Sequence, residues 1–207
     1  MSMNYLLNLK NVLLFSCLFF SQSIFSQGTK SGYITSINDY IKKYVATHEV
    51  VKGEDRKYLH FFPPDSNYKV TTTFEKIDDK TGFKMPTSQQ SFQQFYRYGK
   101  ISFVINGTDC QLTVYQSKDM ILRDEFKDYL FIPFTDATTG TGTYEGGRYI
   151  DISIPDITDN KVIIDFNKAY NPYCCYTTGY HCPLPPKENA LSVAINAGEM
   201  KYTKPVH

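Results

Sequence analysis

Two stretches of this chain concentrate side chains whose types and spacing suit chemistry. The first is Thr135–Tyr149, TDATTGTGTYEGGRY, where Gly140, Gly142, Gly146 and Gly147 permit close backbone approach. The hydroxyls of Thr138, Thr139, Thr141 and Thr143, beside Arg148, suit a carboxylate or phosphate. No Gly-Lys-Ser/Thr opens a helix there, so the stretch is not a P-loop. The plainer reading is a structured hairpin with Arg148 paired to a carboxylate such as Asp136 or Asp151.

The second stretch is Asp165–Asn189, DFNKAYNPYCCYTTGYHCPLPPKEN, which holds three of the five cysteines and four of the ten prolines. Each proline fixes φ and removes a donor, so neither a regular helix nor a central strand fits. An ordered, aromatic-packed loop does. Asp165, Glu188 and Glu199 offer carboxylates for acid–base work, while Asn167, Asn171 and Asn189 add amides. The plainer role of Asp165 and Asn167 is bonding nearby backbone amides. Tyr170, Tyr173, Tyr176 and Tyr180 either line an apolar pocket with polar tips or pack on the prolines. Cys174, Cys175, His181 and Cys182 read CC-x5-HC, which lacks the paired knuckles of a zinc site, so disulfide chemistry is favoured over metal. A nucleophilic cysteine needs a base, and nothing in the sequence brings His48, His60 or His181 to a particular thiol. No cofactor or metal is implied.

The elements that position these residues follow from composition and period. Residues 1–26 read as a secretory signal, with Lys10 before the apolar run Val12–Phe20 and cleavage near Ser26. That run falls short of the roughly 20 apolar residues of a membrane span. A loose lipobox, Leu14-Phe15-Ser16-Cys17, gives the alternative of a lipid on Cys17. Residues 27–207 suffice for a single domain. Without Lys10 of the signal, the remaining 21 Lys and Arg balance the 21 Asp and Glu, which argues against nucleic acid. No later stretch suits a transmembrane segment, and the oligomeric state is not legible. Export leaves Cys110, Cys174, Cys175 and Cys182, for which three pairings exist. A vicinal Cys174–Cys175 bond is strained, which leaves Cys174–Cys182 with Cys110–Cys175, or the crossed pairing.

Ser31–Thr47 carries the stripe of an amphipathic helix in Tyr33, Ile34, Ile37, Tyr40, Ile41, Tyr44 and Val45. Beyond Arg56 the period changes to two. Strands are expected at Tyr58–Phe62, Tyr68–Ile77, Phe92–Tyr98, Lys100–Ile105, Gln111–Gln116, Tyr129–Phe134, Tyr149–Ile154, Lys161–Phe166 and Leu191–Ile195. Asn106-Gly107 favours a tight turn, although Asn106-Gly107-Thr108 also matches a glycosylation sequon. The fold class is therefore mainly β, an antiparallel β-barrel or sandwich with one N-terminal amphipathic helix.

The runs FTDATTGTGTYEGGRY, DFNKAYNPYCCY and CPLPPKENALSVAINAGE resemble the uncharacterised bacterial family called domain of unknown function 1684. RKYLHFFPPDSNYKV is similar to the family's opening, and shorter members resemble secreted proteins of Bacteroidetes-type bacteria. The resemblance brings no activity, substrate or cofactor. It implies cysteines at Cys174 and Cys182, with Cys110 and Cys175 as departures that would form a private second disulfide.

Three functions are compatible with these residues. One is a secreted β-rich domain binding a small polar or anionic ligand between the Thr135–Tyr149 and Asn171–Asn189 loops, through Asp136, Thr138, Tyr144, Arg148, Asp165, Asn167, Asn171, Tyr176, Glu188 and Asn189. Another is an enzyme, either a carboxylate hydrolase or one using Cys174/Cys182 thiol chemistry. The last is a structural envelope-associated module without a small ligand.

Overall fold

The computed structural model describes residues 30–204, so the expected signal, its cleavage site and Cys17 lie outside the described residues. Helix α1 spans residues 30–47, and the seven residues of its apolar stripe are its buried or half-buried ones. Seven strands follow: β1 (Lys69–Lys76), β2 (Phe83–Pro86), β3 (Phe92–Ile105), β4 (Thr108–Ser117), β5 (Tyr129–Phe134), β6 (Arg148–Ser153) and β7 (Lys161–Asp165). They form one antiparallel sheet in the order β6-β5-β4-β3-β1-β7, with β2 on a further stretch of β3. The sheet curls strongly into a half-barrel. The chain leaving β7 at one edge reaches β6 at the other, where Tyr149 and Tyr170 exchange both backbone hydrogen bonds at 2.9 and 3.1 Å.

Alternation along the strands produces two cores rather than one. Leu112 and Val114 of β4, Leu130, Ile132 and Phe134 of β5, and Ile150 of β6 point inward with Ile101, Ile164 and Phe166. The intervening residues Tyr115, Phe131 and Tyr149 point outward and join Phe95 and Met85 in a second cluster. Five consecutive residues of β5, Leu130–Phe134, are therefore buried. A strand covered on both faces reads as a continuous apolar run.

Two expected strands are absent and two are joined. Tyr58–Phe62 is no strand: a 3-10 turn over Gly53–Tyr58 leads to one isolated bridge, Phe61 to Glu199, before Pro63-Pro64 withdraw two donors. Leu191–Ile195 finds other partners. Leu191 donates to the Thr135 carbonyl, the Val193 carbonyl accepts from Ala137, and the Ile195 amide donates to Asp136. Phe92–Tyr98 and Lys100–Ile105 are one strand running through Gly99, with a register shift between Arg97 and Gly99. Only glycine fits there, because a Cβ would collide with the Phe74 ring. Asn106-Gly107 makes the expected β3–β4 turn with φ of 52° and 76°.

Candidate functional site

The Thr135–Tyr149 residues converge on a buried lattice inside the half-barrel. The Arg148 side chain is 1% exposed, as is that of Asp136, and its Nη2 lies 2.9 Å from Asp136 Oδ2. That nitrogen also donates to the Ile195 carbonyl at 2.9 Å, while Nη1 donates to the carbonyls of Ala197 and Glu199. Asp136 accepts further bonds from the Thr138 amide and hydroxyl and from the Ile195 amide. Of the two carboxylates considered for Arg148, Asp136 is the partner. Arg148 thus stitches three alternate carbonyls of the C-terminal tail, those of Ile195, Ala197 and Glu199, to β6. Tyr144 is half-buried, its ring against Gly146.

The amides of the second stretch also join chain to chain. Asn189 Oδ1 accepts from the Thr113 amide at 2.7 Å, and its Nδ2 donates to the carbonyls of Thr113 and Pro133. Pro133 has no N–H for β4, so the carboxamide fills the gap that proline opens in the ladder. Asn167 bonds Asp165, Tyr33 of α1 and both backbone groups of Asp65. Asn171 donates to Glu199 and to the Met200 carbonyl. Glu188 accepts from Tyr115 at 2.6 Å and from Arg97 at 2.9 Å. Burial works to raise its carboxyl, but those bonds outweigh it and hold the group below its ordinary range.

Glu199 was marked in the sequence only as a flanking carboxylate. It is completely buried and accepts from Tyr176, Tyr44 and the Asn171 amide. Burial dominates and pushes it up to about 7. His48 packs edge-on against Tyr44 and Tyr176, so this cluster ties the end of α1 to the loop.

The outer face carries a cavity of about 730 Å³. Its floor is Phe95, Phe131 and Tyr149 with Gln93 and Ser117; Asp119, Met120, Phe126 and Tyr129 form one wall. The roof is the proline-rich loop, through Tyr170, Pro172, Tyr173, Tyr180, His181, Cys182 and Pro183. Cys174–Cys182 is a disulfide, which closes the loop on itself. Ser88 bonds Cys174 Sγ at 2.9 Å and the Tyr180 carbonyl at 3.0 Å, fastening the roof to the β2–β3 turn. Rings meet as walls at near right angles: Phe131 with Tyr149 at 4.7 Å and 74°, Tyr149 with Tyr170 at 5.8 Å and 89°. Of the four loop tyrosines, Tyr170, Tyr173 and Tyr180 line the cavity, whereas Tyr176 turns to Glu199.

Asp151 stands at this face, opposite Phe131 in register, and accepts from Tyr129 at 2.7 Å and from Tyr170 at 2.9 Å. It retains open surface yet is ringed by tyrosines; desolvation pushes its carboxyl up, and the two phenols partly offset that. Burial likewise raises the phenols of Tyr129, Tyr149, Tyr170 and Tyr173, the last to about 12, so all are neutral donors at physiological pH. Sequence reasoning missed Gln93, Ser117 and Asp119 as cavity residues. The available signal was the outward set of each strand, apolar where a solvent face is expected.

A second cavity, of about 760 Å³, lies between α1 and the Pro63-Pro64 turn. Its lining mixes Ile41, Leu59 and Met200 with His60, which is already tied to Thr203 at 2.8 Å. Its polar lining also includes Asn38, Lys201, paired with Glu145, and Thr141, which donates to the Thr138 carbonyl.

Cys110 and Cys175 are both free, which corrects the expected second disulfide. Cys110 belongs to the inner core at the β3–β4 hairpin, while Cys175 lies near Tyr144 and Tyr202. Burial pushes the Cys175 thiol up to about 12, which leaves essentially no thiolate at neutral pH. Among the described residues, no three His, Cys, Asp or Glu side chains converge to hold a metal ion. No helix among them is long and apolar enough to cross a membrane.

Fold and cavity together define a small half-barrel domain in which a disulfide-held loop roofs an aromatic face of the sheet. The chain belongs to the family described as Protein of unknown function (DUF1684), whose sequence model matches residues 55–200. It is similar to the solution NMR structure of an uncharacterized protein from Haloarcula marismortui, at 28% identity and a TM-score of 0.59, over 87% of this chain and 96% of that one. A search of curated proteins finds no match.

Proposed function

We propose that the chain is an exported binding module that holds a small polar molecule with an apolar body in the cavity beneath the Asn171–Asn189 loop. One observation carries the reading. A cavity of drug-like size is walled by aromatic rings and edged by a few polar groups, Gln93, Ser117, Asp119 and His181, the usual anatomy of a ligand site. The Thr135–Tyr149 loop contributes through Tyr149 at its end, while its Asp136, Thr138, Thr143 and Arg148 serve the buried lattice. The signal-like N-terminus and the Cys174–Cys182 disulfide support an oxidising compartment.

The test is a fragment screen by ligand-observed NMR, followed by amide shift mapping on labelled protein. Hits are expected to move the amides of Gln93, Ser117, Tyr149 and Tyr180, and to lose binding in a Tyr180→Ala variant. Hits that map instead to Ile41, His60 and Lys201, or no hit at either cavity, would remove the reading.

A further inference from the structure

The charges around this cavity point to the class of molecule it takes. Among the described residues, eight Phe and Tyr rings line it together with the His181 imidazole, and no lysine or arginine does. Two carboxylates attend it without a cationic partner among the described residues. Asp119 lies in the wall and makes no salt bridge. Asp151 is held only by the hydroxyls of Tyr129 and Tyr170, both cavity residues. Of the 21 acids seven are paired, among them Glu188 with Arg97, Asp136 with Arg148 and Asp55 with Lys204, so it is the place of Asp119 on an aromatic cavity, and not its lack of a partner alone, that bears on the ligand. Arg123, which stacks 4.8 Å from the centre of the outer-wall ring of Phe126, has its charge met by Glu125.

Such a combination selects by charge. The face of an aromatic ring is negative and attracts a cation, most strongly where water is excluded. An anion would meet ring faces and the uncompensated carboxylate of Asp119, with that of Asp151 held next to the lining by Tyr129 and Tyr170. We infer that the cavity of the proposed binding module accepts an organic cation, an ammonium or quaternary ammonium head group, with the rings as walls and Asp119 and Asp151 supplying the counter-charge. This deepens the cavity reading and rests on it.

The experiment compares choline with 3,3-dimethylbutan-1-ol, which has the same shape without the charge, at pH 8 and low salt. Affinity is read by calorimetry and location by amide shifts. Choline is expected to bind roughly tenfold more tightly than the neutral alcohol. Asp119→Asn, at an exposed position, is expected to weaken choline several-fold while leaving the alcohol unchanged. Asp151→Asn, which keeps an acceptor for the two tyrosines, is expected to do the same. Equal or tighter binding of the alcohol at the cavity overturns the charge assignment and leaves the cavity standing. An undiminished choline affinity in both aspartate variants does likewise. If neither probe moves a cavity amide, screen hits at that cavity overturn the cation alone, and their absence overturns the cavity reading too.

Discussion

The two faces of the sheet treat polar side chains in opposite ways. Inside, Arg148, Asp136, Thr138 and Asn189 bind protein at nearly every polar atom, and the only open valence of Arg148 is Nε. Outside, Asp119 and Asp151 have no cationic partner among the described residues, and tyrosine rings stand against a cavity instead of a neighbouring element. Density of polar residues in a sequence therefore does not locate a binding site. Saturation does: a side chain that spends its hydrogen bonds on its own chain, as Arg148 does on Asp136 and three tail carbonyls, has few left for a ligand.

The sharpest way to break this comparison is at Arg148. Arg148→Met removes the cation and leaves Asp136 buried, at an expected loss of about 3–5 kcal/mol in urea unfolding. A loss under about 1 kcal/mol would mean that the lattice is not what joins the C-terminal tail to β6.

Glu199 gives a pH test of the same buried side. Its folded value of about 7 lies above the ordinary 4.5. Between those values the folded protein keeps the proton that the unfolded chain has released, so stability falls as pH rises. The contribution is full below 4.5 and gone above 7, an amount on the order of 3 kcal/mol. Unfolding free energies of wild type and Glu199→Gln across that window should differ in slope, the variant being flatter. Parallel curves would show the carboxyl to be better solvated than its burial implies.

Asn189 tests a single joint. Asn189→Ala leaves the Thr113 amide and the Pro133 carbonyl without partners in a closed gap, and about 1–3 kcal/mol should be lost. Hydrogen exchange at Thr113 should rise with it. Unchanged exchange would mean that β4 and β5 close the gap directly.

Much of the fold was legible because it rests on period. The α1 stripe, the antiparallel β class, the Asn106-Gly107 turn and the special loop all follow from local chemistry. Barrel and sandwich could not be separated, because closure depends on one long-range exchange between Tyr149 and Tyr170. Leu191–Ile195 alternates like a strand, yet its backbone groups are claimed by Thr135, Ala137 and Arg148, partners that no local pattern announces. The polar lattice was misplaced for a related reason. Arg, Asp, Thr and Asn look alike in sequence whether they face a ligand or a buried carbonyl. The loop tyrosines and the apolar outward sets of the strands hint at the cavity, whose floor is supplied by outward residues of four strands.

Tyr180 is where the comparison predicts the least structural and the most functional consequence. Its side chain is 40% exposed and packs edge-on to Tyr173 at 5.0 Å, while its backbone carbonyl is the group that Ser88 holds. Truncating the ring therefore leaves the roof fastened by Ser88 and by the Cys174–Cys182 bond. Tyr180→Ala should change unfolding free energy by no more than about 0.5 kcal/mol, the ordinary range for a surface position. Cavity ligands should nonetheless weaken, since one of the rings that exclude water is gone. Paired measurement of denaturant midpoint and ligand affinity on the same variant makes the contrast with Arg148→Met direct. A large stability loss at Tyr180 would assign the outer rings to the core, and the cavity would then be packing space rather than a site.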